Sequence, residues 1–344
     1  MGRSRELAEL ATGYDSGGGF GFKNRIINGD MRIDQRNAGA SVNPSTGAYT
    51  LDRWFGGGVH DGVLGVQRVA DAPTGFVNSL RVTVSTADAS LGATQYARIG
   101  QPIEGFNVAD FAGGTASAAT ITFSFWVKSS LTGTFGGYIA NGDESRIYIF
   151  QYTINAASTW EQKTVTLTLA TNGTWATDNS AGMRAFFSLG AGSSYIGTAN
   201  TWLTSYAQQA SGNINVINTI NATWQITGVQ LESGTVASPF ERRDYGRELM
   251  MCMRYYETQS GYNTLIYSDN ALASGTVPFT FSVVKRANPT IVLTNPSGTL
   301  SNTGTQSAVS ISTARFEINV PSSSGAGIRG GFNNNGSFTA SIEL

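Results

Sequence analysis

The stretch ITFSFWVKSS, residues 121–130, decides the fold class. Ile121, Phe123, Phe125 and Val127 alternate with residues that are mostly polar, so an extended strand places these apolar side chains on one face. A period of two residues with one apolar face is typical of an antiparallel strand that packs on a core. The stretch therefore predicts a half-buried β-strand.

The same alternation recurs on both sides of this strand. In one of these runs the apolar side chains shift from even-numbered to odd-numbered positions, and Gly228 lies where they shift. This change predicts a β-bulge at Gly228. Many short strands separated by glycine-containing turns predict an antiparallel jelly-roll sandwich over residues 23–243. The further alternating runs are residues 80–84, 165–169, 183–189 and 224–231.

The composition excludes several functional classes. Only 13% of the 344 residues are charged, and the net charge is −1, so no basic surface for nucleic acid is expected. No apolar run reaches the about 18 residues that would cross a membrane, so no membrane insertion is expected. The sequence has one cysteine, Cys252, and one histidine, His60, so it excludes an internal disulfide framework and a multi-histidine metal site.

The segment before the sandwich is predicted to be an anchor. MGRSRELAEL, residues 1–10, predicts a short helix with Leu7 and Leu10 on one face, and a glycine-rich hinge follows within residues 1–22. A helix this short is not stable in isolation, so the two leucines are expected to contact a partner protein. The stretch lacks the apolar core of a signal peptide, and synthesis in a cytoplasm is expected.

A connecting helix is predicted over residues 244–258, with Asp244 as its N-cap. Leu249, Cys252, Met253 and Tyr256 lie on one helical stripe, which we predict to be the oligomer interface. Residues 259–344 return to alternation and predict a smaller C-terminal β domain, the tip. The prediction is thus an all-β chain with short N-terminal and inter-domain helices.

Six motifs of the chain form a recognisable set: SRELAELA (4–11), NRIINGDMRIDQRNAG (24–39), TLDRWF (50–55), ITFSFWVKSS (121–130), ITGVQLESGTVASPFERR (226–243) and RELMMCMRYYE (247–257). They resemble the jelly-roll modules of tailed-bacteriophage tail fibres. The start of the chain also resembles the N-terminal tip of such fibres, and the sandwich is similar to the carbohydrate-binding jelly rolls attached to glycosidases. The resemblance covers residues 4–257.

This resemblance implies a virion protein, a tail fibre, that forms a homotrimer and binds a bacterial surface polysaccharide or lipopolysaccharide. Its N-terminus would attach to another tail or baseplate protein. Baseplate-spike and head-fibre positions stay open. So do two other functions, a tailspike-like glycan depolymerase and a purely structural or head-decorating protein.

Two locations compete as the glycan-binding site. The C-terminal loops carry Arg329, Phe332 and Asn333 among small polar residues, and loops on a rigid scaffold are the usual place for recognition. The jelly roll carries Trp126 and Tyr148 on strands, where aromatic residues also pack under loops or in subunit interfaces. We favour the loops.

No catalytic residue is predicted. His60 is followed by Asp61, but neighbouring residues of a strand point to opposite faces, and the GxSxG motif of a serine hydrolase is absent. The carboxylates Asp143 and Glu144 lie in a turn-like NGDES sequence. Such carboxylates could hold a structural Ca²⁺, but no ligand spacing indicates it. We therefore predict a non-enzymatic protein without a cofactor or metal.

Overall fold

The structure is a computed structural model that describes residues 22–44, 47–262, 265–267, 274–294, 307–321, 329–331 and 336–344. The chain divides into two compact units, Met1–Arg243 and Asp244–Leu344. Each unit is described by itself below.

The described part of the first unit is built from strands joined by turns and short 3₁₀ helices. The 3₁₀ helices are Gly105–Asn107, Ala109–Phe111, Ser193–Tyr195 and Val216–Asn218. The strands are β1 (Ala48–Leu51), β2 (Trp54–Val59), β3 (Val63–Val69), β4 (Ser79–Thr86), β5 (Tyr96–Glu104), β6 (Thr120–Ser129), β7 (Gly133–Asn141), β8 (Ile147–Ile154), β9 (Glu161–Thr168), β10 (Ala181–Ala191), β11 (Ile196–Gly197), β12 (Trp202–Leu203), β13 (Gln209–Ala210) and β14 (Thr223–Ser233).

Two antiparallel sheets form a sandwich. Among the described residues, one sheet has seven strands in the order β1-β2-β5-β10-β7-β8-β12, and the other has five in the order β3-β4-β14-β6-β9. The strands β11 and β13 form a small parallel pair. Because both large sheets contribute side chains to one hydrophobic core, the prediction of an all-β antiparallel sandwich is confirmed.

Strand β6 behaves as its alternation predicts. Ile121, Phe123, Phe125 and Val127 are fully buried. Phe125 contacts Phe187 of β10 in the opposite sheet, with ring centroids 4.9 Å apart. Burying one such side chain contributes about 1.5–3 kcal/mol, so this strand is a main source of the sandwich's stability.

Strand β14 contains the predicted bulge. Its register against β6 shifts between Thr227 and Gln230. Gly228 lies at this shift with a φ of +59°, a left-handed conformation that favours glycine. The extra residue lets both Ile226 before the bulge and Val229 after it enter the core.

The two ends of the sandwich unit bind each other. The side chain of Asn24 donates from Nδ2 to the carbonyl of Val229 (3.0 Å) and accepts at Oδ1 from the amide of Leu231 (3.0 Å). The guanidinium of Arg243 donates to the carbonyls of Asn24 and Ile26. Two of the motifs that carry the tail-fibre resemblance therefore act structurally, because they close the sandwich.

The second unit begins with a helix, α1 (Tyr245–Met253), that is shorter than predicted. Asp244 caps it as expected, since its carboxylate accepts from the amide of Arg247 (2.9 Å). The predicted stripe is wrong for Tyr256, which starts strand β15 (Tyr256–Tyr262) and pairs with Ser341. Pairing with a distant strand satisfies the backbone of this segment and overrides its helical spacing.

The strands that follow β15 are β16 (Leu265–Tyr267), β17 (Ser274–Thr280), β18 (Thr290–Thr294), β19 (Ser307–Val309), β20 (Arg315–Pro321), β21 (Arg329–Gly331) and β22 (Gly336–Ser341). The described strands of the second unit form three small antiparallel sheets, ordered β15-β22-β18, β16-β21 and β17-β20-β19. Its core contains Phe281, Phe316, Ile318, Phe338 and Ala340.

Candidate functional site

The outer face of the seven-stranded sheet is covered by the chain itself. Tyr138, Ile149 and Phe186 point away from the sandwich core, yet all are buried. They pack with Ala207 and Leu203, which follow β10 in the chain. This sheet face therefore offers no open surface at these positions.

A half-buried arginine, Arg98, organises this covered face. The Nη1 of Arg98 contacts the Tyr138 hydroxyl and donates to Glu144 Oε1 (3.0 Å) and the Tyr206 hydroxyl (2.8 Å). Its guanidinium carbon lies 4.6 Å from the ring centroid of Phe186. Burial acts to lower the pKa of Arg98, but Tyr138 and Glu144 outweigh it and raise the pKa. Glu144 is therefore a partner of Arg98 in this cluster.

Trp126 lies half-buried on the outer face of the five-stranded sheet. A Cβ placed on Gly228 would be 3.1 Å from Trp126 Cδ1 and 2.6 Å from Phe76 Cζ, so the ring of Phe76 lies beside the indole. Ser124, which lies on the same face of β6 as Trp126, is buried. This face is therefore only partly open.

Lys128, on the same face, is engaged by other side chains. Its Nζ lies 2.5 Å from Asp71 Oδ2 and 5.0 Å from the ring centroid of Trp160. The hydrogen bond from Lys128 lowers the pKa of Asp71. Lys128 therefore has its charge compensated and does not serve as a free cation beside Trp126.

Tyr148 lies in a row of three aromatic side chains at the edge of the sandwich. Its ring is 5.5 Å from that of Trp202, at an interplanar angle of 59°. Trp202 is 5.8 Å from Trp175, at 75°. All three side chains are half-buried, and burial raises the pKa of the Tyr148 hydroxyl. Each ring thus packs on the core and keeps part of its surface in solvent.

Hydrogen bonds to backbone carbonyls hold the two indoles in place. Trp202 Nε1 donates to Thr168 (2.8 Å), and Trp175 Nε1 donates to Asn172 (3.2 Å). A Cβ on Gly113 would lie 2.6 Å from Trp175 Cδ2, so this glycine leaves room for the indole. The rings are therefore preorganised, and their exposed surfaces are available for apolar contacts.

Polar groups flank the row. Arg146 Nε donates to Asn172 Oδ1 (2.6 Å), and Arg146 Nη1 donates to the carbonyl of Ser145 (2.7 Å). We call Arg146, Tyr148, Asn172, Trp175 and Trp202 the aromatic edge. Close to it in the chain is a cavity of about 270 Å³ lined by Gly142, Asp143, Thr174, Ala176, Ser180 and Ala181.

Aromatic rings beside hydrogen-bonding groups can bind sugars, because the rings pack against the C–H faces and the polar groups bind hydroxyls. The sequence pointed to Tyr148 and missed Trp175 and Trp202. Trp202 begins the two-residue strand β12 and Trp175 lies in a loop, so no alternation assigns either side chain to a face. The remaining signal is the polar, glycine-containing stretch TNGTWATDN, residues 171–179, around one of them.

The other predicted site residues divide into two groups. Leu7, Leu10, Phe332 and Asn333 lie outside the described residues, and Arg329 is the first residue of β21. On and after α1, Leu249 and Met253 are half-buried, whereas Cys252 and Tyr256 are buried. The oligomer interface stays a prediction, now limited to the half-buried members of the stripe.

The described residues contain no cluster of three or more His, Cys, Asp or Glu side chains that could hold a metal ion. Within the same part of the chain, no helix has the length and apolarity needed to cross a membrane. His60 Nδ1 lies 3.0 Å from the carbonyl of Gly62, and Asp61 Oδ2 accepts from Gln95 (2.9 Å).

Comparison with known proteins gives weak likenesses. No protein-family model and no curated protein matches the sequence. The enzymatically active domain of bacteriophage CBA120 tailspike protein 4 is similar over 61% of this chain and 21% of its own, at 11% identity and a TM-score of 0.32. The chain thus spans about a fifth of that protein's length.

Two further similar structures are smaller modules. A family 11 carbohydrate-binding module from Clostridium thermocellum matches over 59% of this chain and 100% of its own, at 10% identity and a TM-score of 0.30. The N-terminal cellulose-binding domain of Cellulomonas fimi β-1,4-glucanase C matches over 54% and 90%, at 16% identity and a TM-score of 0.29. The fold assignment rests on the two sheets themselves.

Proposed function

We propose that this protein is a non-enzymatic tail-fibre protein of a tailed phage that binds a bacterial surface polysaccharide or lipopolysaccharide. The observation that carries the glycan-binding part is the aromatic edge, a row of three half-buried rings with Trp202 in the middle, beside Arg146 and Asn172. The virion part rests on the sequence motifs that resemble tail fibres.

The aromatic edge is suited to a ligand that binds weakly at each site and is contacted at several sites at once. Its indoles are already oriented by backbone hydrogen bonds, so binding a sugar costs little side-chain entropy. A trimer would present three copies, and linked sites raise avidity by about 10²–10⁴ without new contacts. Leu7 and Leu10 would attach the trimer to another virion protein.

We predict that Trp202→Ala weakens binding of the full chain to purified host-surface glycan at least tenfold. Its indole contacts both other rings of the edge, and aromatic anchors at the centre of a site carry about 2 kcal/mol or more. Binding is measured by isothermal titration, and circular dichroism confirms that the variant folds. Trp126→Ala is the matched control and should bind as the unaltered chain does.

The opposite pattern would contradict the assignment. If Trp126→Ala loses binding and Trp202→Ala keeps it, the outer sheet face is the glycan site. Loss of binding on removal of residues 259–344, with both tryptophan variants unaffected, would place the site in the C-terminal loops. Release of reducing sugars from the glycan would identify a depolymerase, and no binding to host cells would favour a structural protein.

The trimer is tested separately through α1. We predict that Met253→Asp shifts the full chain from trimer to monomer in native mass spectrometry, because a carboxylate on a half-buried interface position must be desolvated. Met250→Asp is the control, since Met250 is exposed on the same helix. A trimer that survives Met253→Asp, or a stable monomer of the unaltered chain at micromolar concentration, would refute this interface.

A further inference from the structure

A second cavity lies in the first unit, apart from the aromatic edge. Its volume is about 260 Å³, and Asp30, Arg32, Gly75, Phe76, Arg242 and Arg243 are among its lining residues. Cavities that bind drug-sized molecules are usually about 300–1,000 Å³. The size of this cavity, which we call the Arg242 cavity, therefore suits one small chemical group or ring.

Two aromatic rings hold the guanidinium of Arg242. Its central carbon lies 4.9 Å from the ring centroid of Phe76 and 5.9 Å from that of Phe240. The two rings pack edge to face, 5.2 Å apart. Among the described residues, no carboxylate or carbonyl accepts a hydrogen bond from this guanidinium, and Arg242 is exposed. The group is therefore oriented while its donors stay available.

The carboxylates near the cavity pair with the other two arginines and not with Arg242. Arg32 Nε lies 2.5 Å from Asp30 Oδ2, and Arg243 Nη2 lies 3.1 Å from Glu241 Oε2. Each of these arginines thus has a carboxylate partner. Arg242 has none within the described residues, so the cavity carries one excess positive charge.

We infer that the Arg242 cavity binds the carboxylate of an acidic sugar residue. Arginine presents a planar fork of donors that matches a carboxylate with two hydrogen bonds, and one excess positive charge complements a monoanion. The ring of Phe76 offers an apolar surface next to the fork for the C–H face of the sugar. The identification of the ligand as a sugar rests on the proposed function. The preference of the cavity for a carboxylate rests on the structure alone.

The test is to titrate the full chain separately with sodium galacturonate, with galactose and with inorganic phosphate. Binding is measured by NMR chemical shifts or by calorimetry. We expect galacturonate to bind and to bind more weakly as salt concentration rises, and galactose to bind at least tenfold more weakly. Arg242→Gln should weaken galacturonate binding at least tenfold. Arg315→Gln, at an exposed arginine of the second unit, should leave it unchanged.

Three results would overturn the inference. One is equal binding of galacturonate by Arg242→Gln and the unaltered chain, and another is equal binding of galactose and galacturonate. The third is tighter binding of phosphate than of galacturonate, which would identify a phosphate site. Failure here is distinguishable from failure of the proposed function, because the latter is read from Trp202→Ala and glycan binding at the aromatic edge.

Discussion

Replacing Lys285 by methionine is expected to destabilise the second unit by about 3–5 kcal/mol. The ammonium of Lys285 is fully buried, contacts the carboxylate of Glu257, and donates to the carbonyl of Met253 (2.5 Å). Glu257 also accepts from the amide (3.0 Å) and hydroxyl (2.7 Å) of Ser282. Methionine fills similar volume but leaves a buried carboxylate without its counter-charge.

Hydrogen exchange measures this effect unit by unit. Amides of β15 and β22 should lose protection in Lys285→Met, while those of β6 and β14 in the first unit keep it. Lys163→Met is the control, because Lys163 pairs with Glu161 nearer the surface, and such a pair contributes about 1 kcal/mol or less. Unchanged protection in the second unit would show that the buried pair does not stabilise it. Adding Glu257→Leu to Lys285→Met should restore part of the loss.

The second large effect is expected at Asn28. Its fully buried side chain donates from Nδ2 to the carbonyls of Ile33 (2.8 Å) and Asp52 (3.0 Å), and accepts at Oδ1 from the amide of Ile33 (2.9 Å). Asn28→Ala leaves these buried backbone groups without partners, at about 1–3 kcal/mol for each group. We expect a loss of about 3 kcal/mol or more from the first unit.

Urea unfolding of the full chain checks this loss, monitored by tryptophan fluorescence. The buried Trp54 contributes to this signal, and its Nε1 donates to the carbonyl of Asn28 (3.0 Å). Asn221→Ala is the matched control. Asn221 has nearly the same left-handed φ, +61° against +57° for Asn28, but it is exposed. Replacing Asn221 should lower the free energy of unfolding by only about 1 kcal/mol, because alanine adopts a left-handed backbone conformation less readily than asparagine does. Equal losses for the two variants would mean that the side-chain hydrogen bonds of Asn28 contribute nothing.

Asn28 belongs to one of the motifs that resemble tail-fibre modules, and its role in the structure is structural. The stretch NRIINGDMRIDQRNAG resembles tail-fibre modules, and the resemblance points to function. In the structure its asparagines bind backbone groups and close the sandwich. A resemblance therefore identifies the scaffold here, and the ligand-binding residues have to be found from the geometry.

The sequence alone determined the features that depend on neighbouring residues. The buried face of β6, the bulge at Gly228 and the N-cap of α1 at Asp244 were all predicted, because side-chain alternation, a left-handed glycine and a capping carboxylate act within a few residues. The same local pattern was wrong at Tyr256, where pairing with β22, far along the chain, decides the conformation.

Only the tertiary structure decided where the candidate sites lie. The aromatic edge joins Tyr148 to Trp175 and Trp202, and the Arg242 cavity joins Gly75 to Arg242. These residues are far apart in the chain, and most lie in loops, where no periodicity assigns a direction to a side chain. Contacts of this kind exist only once the sheets have paired, because strand pairing and core packing set the path of every loop between them.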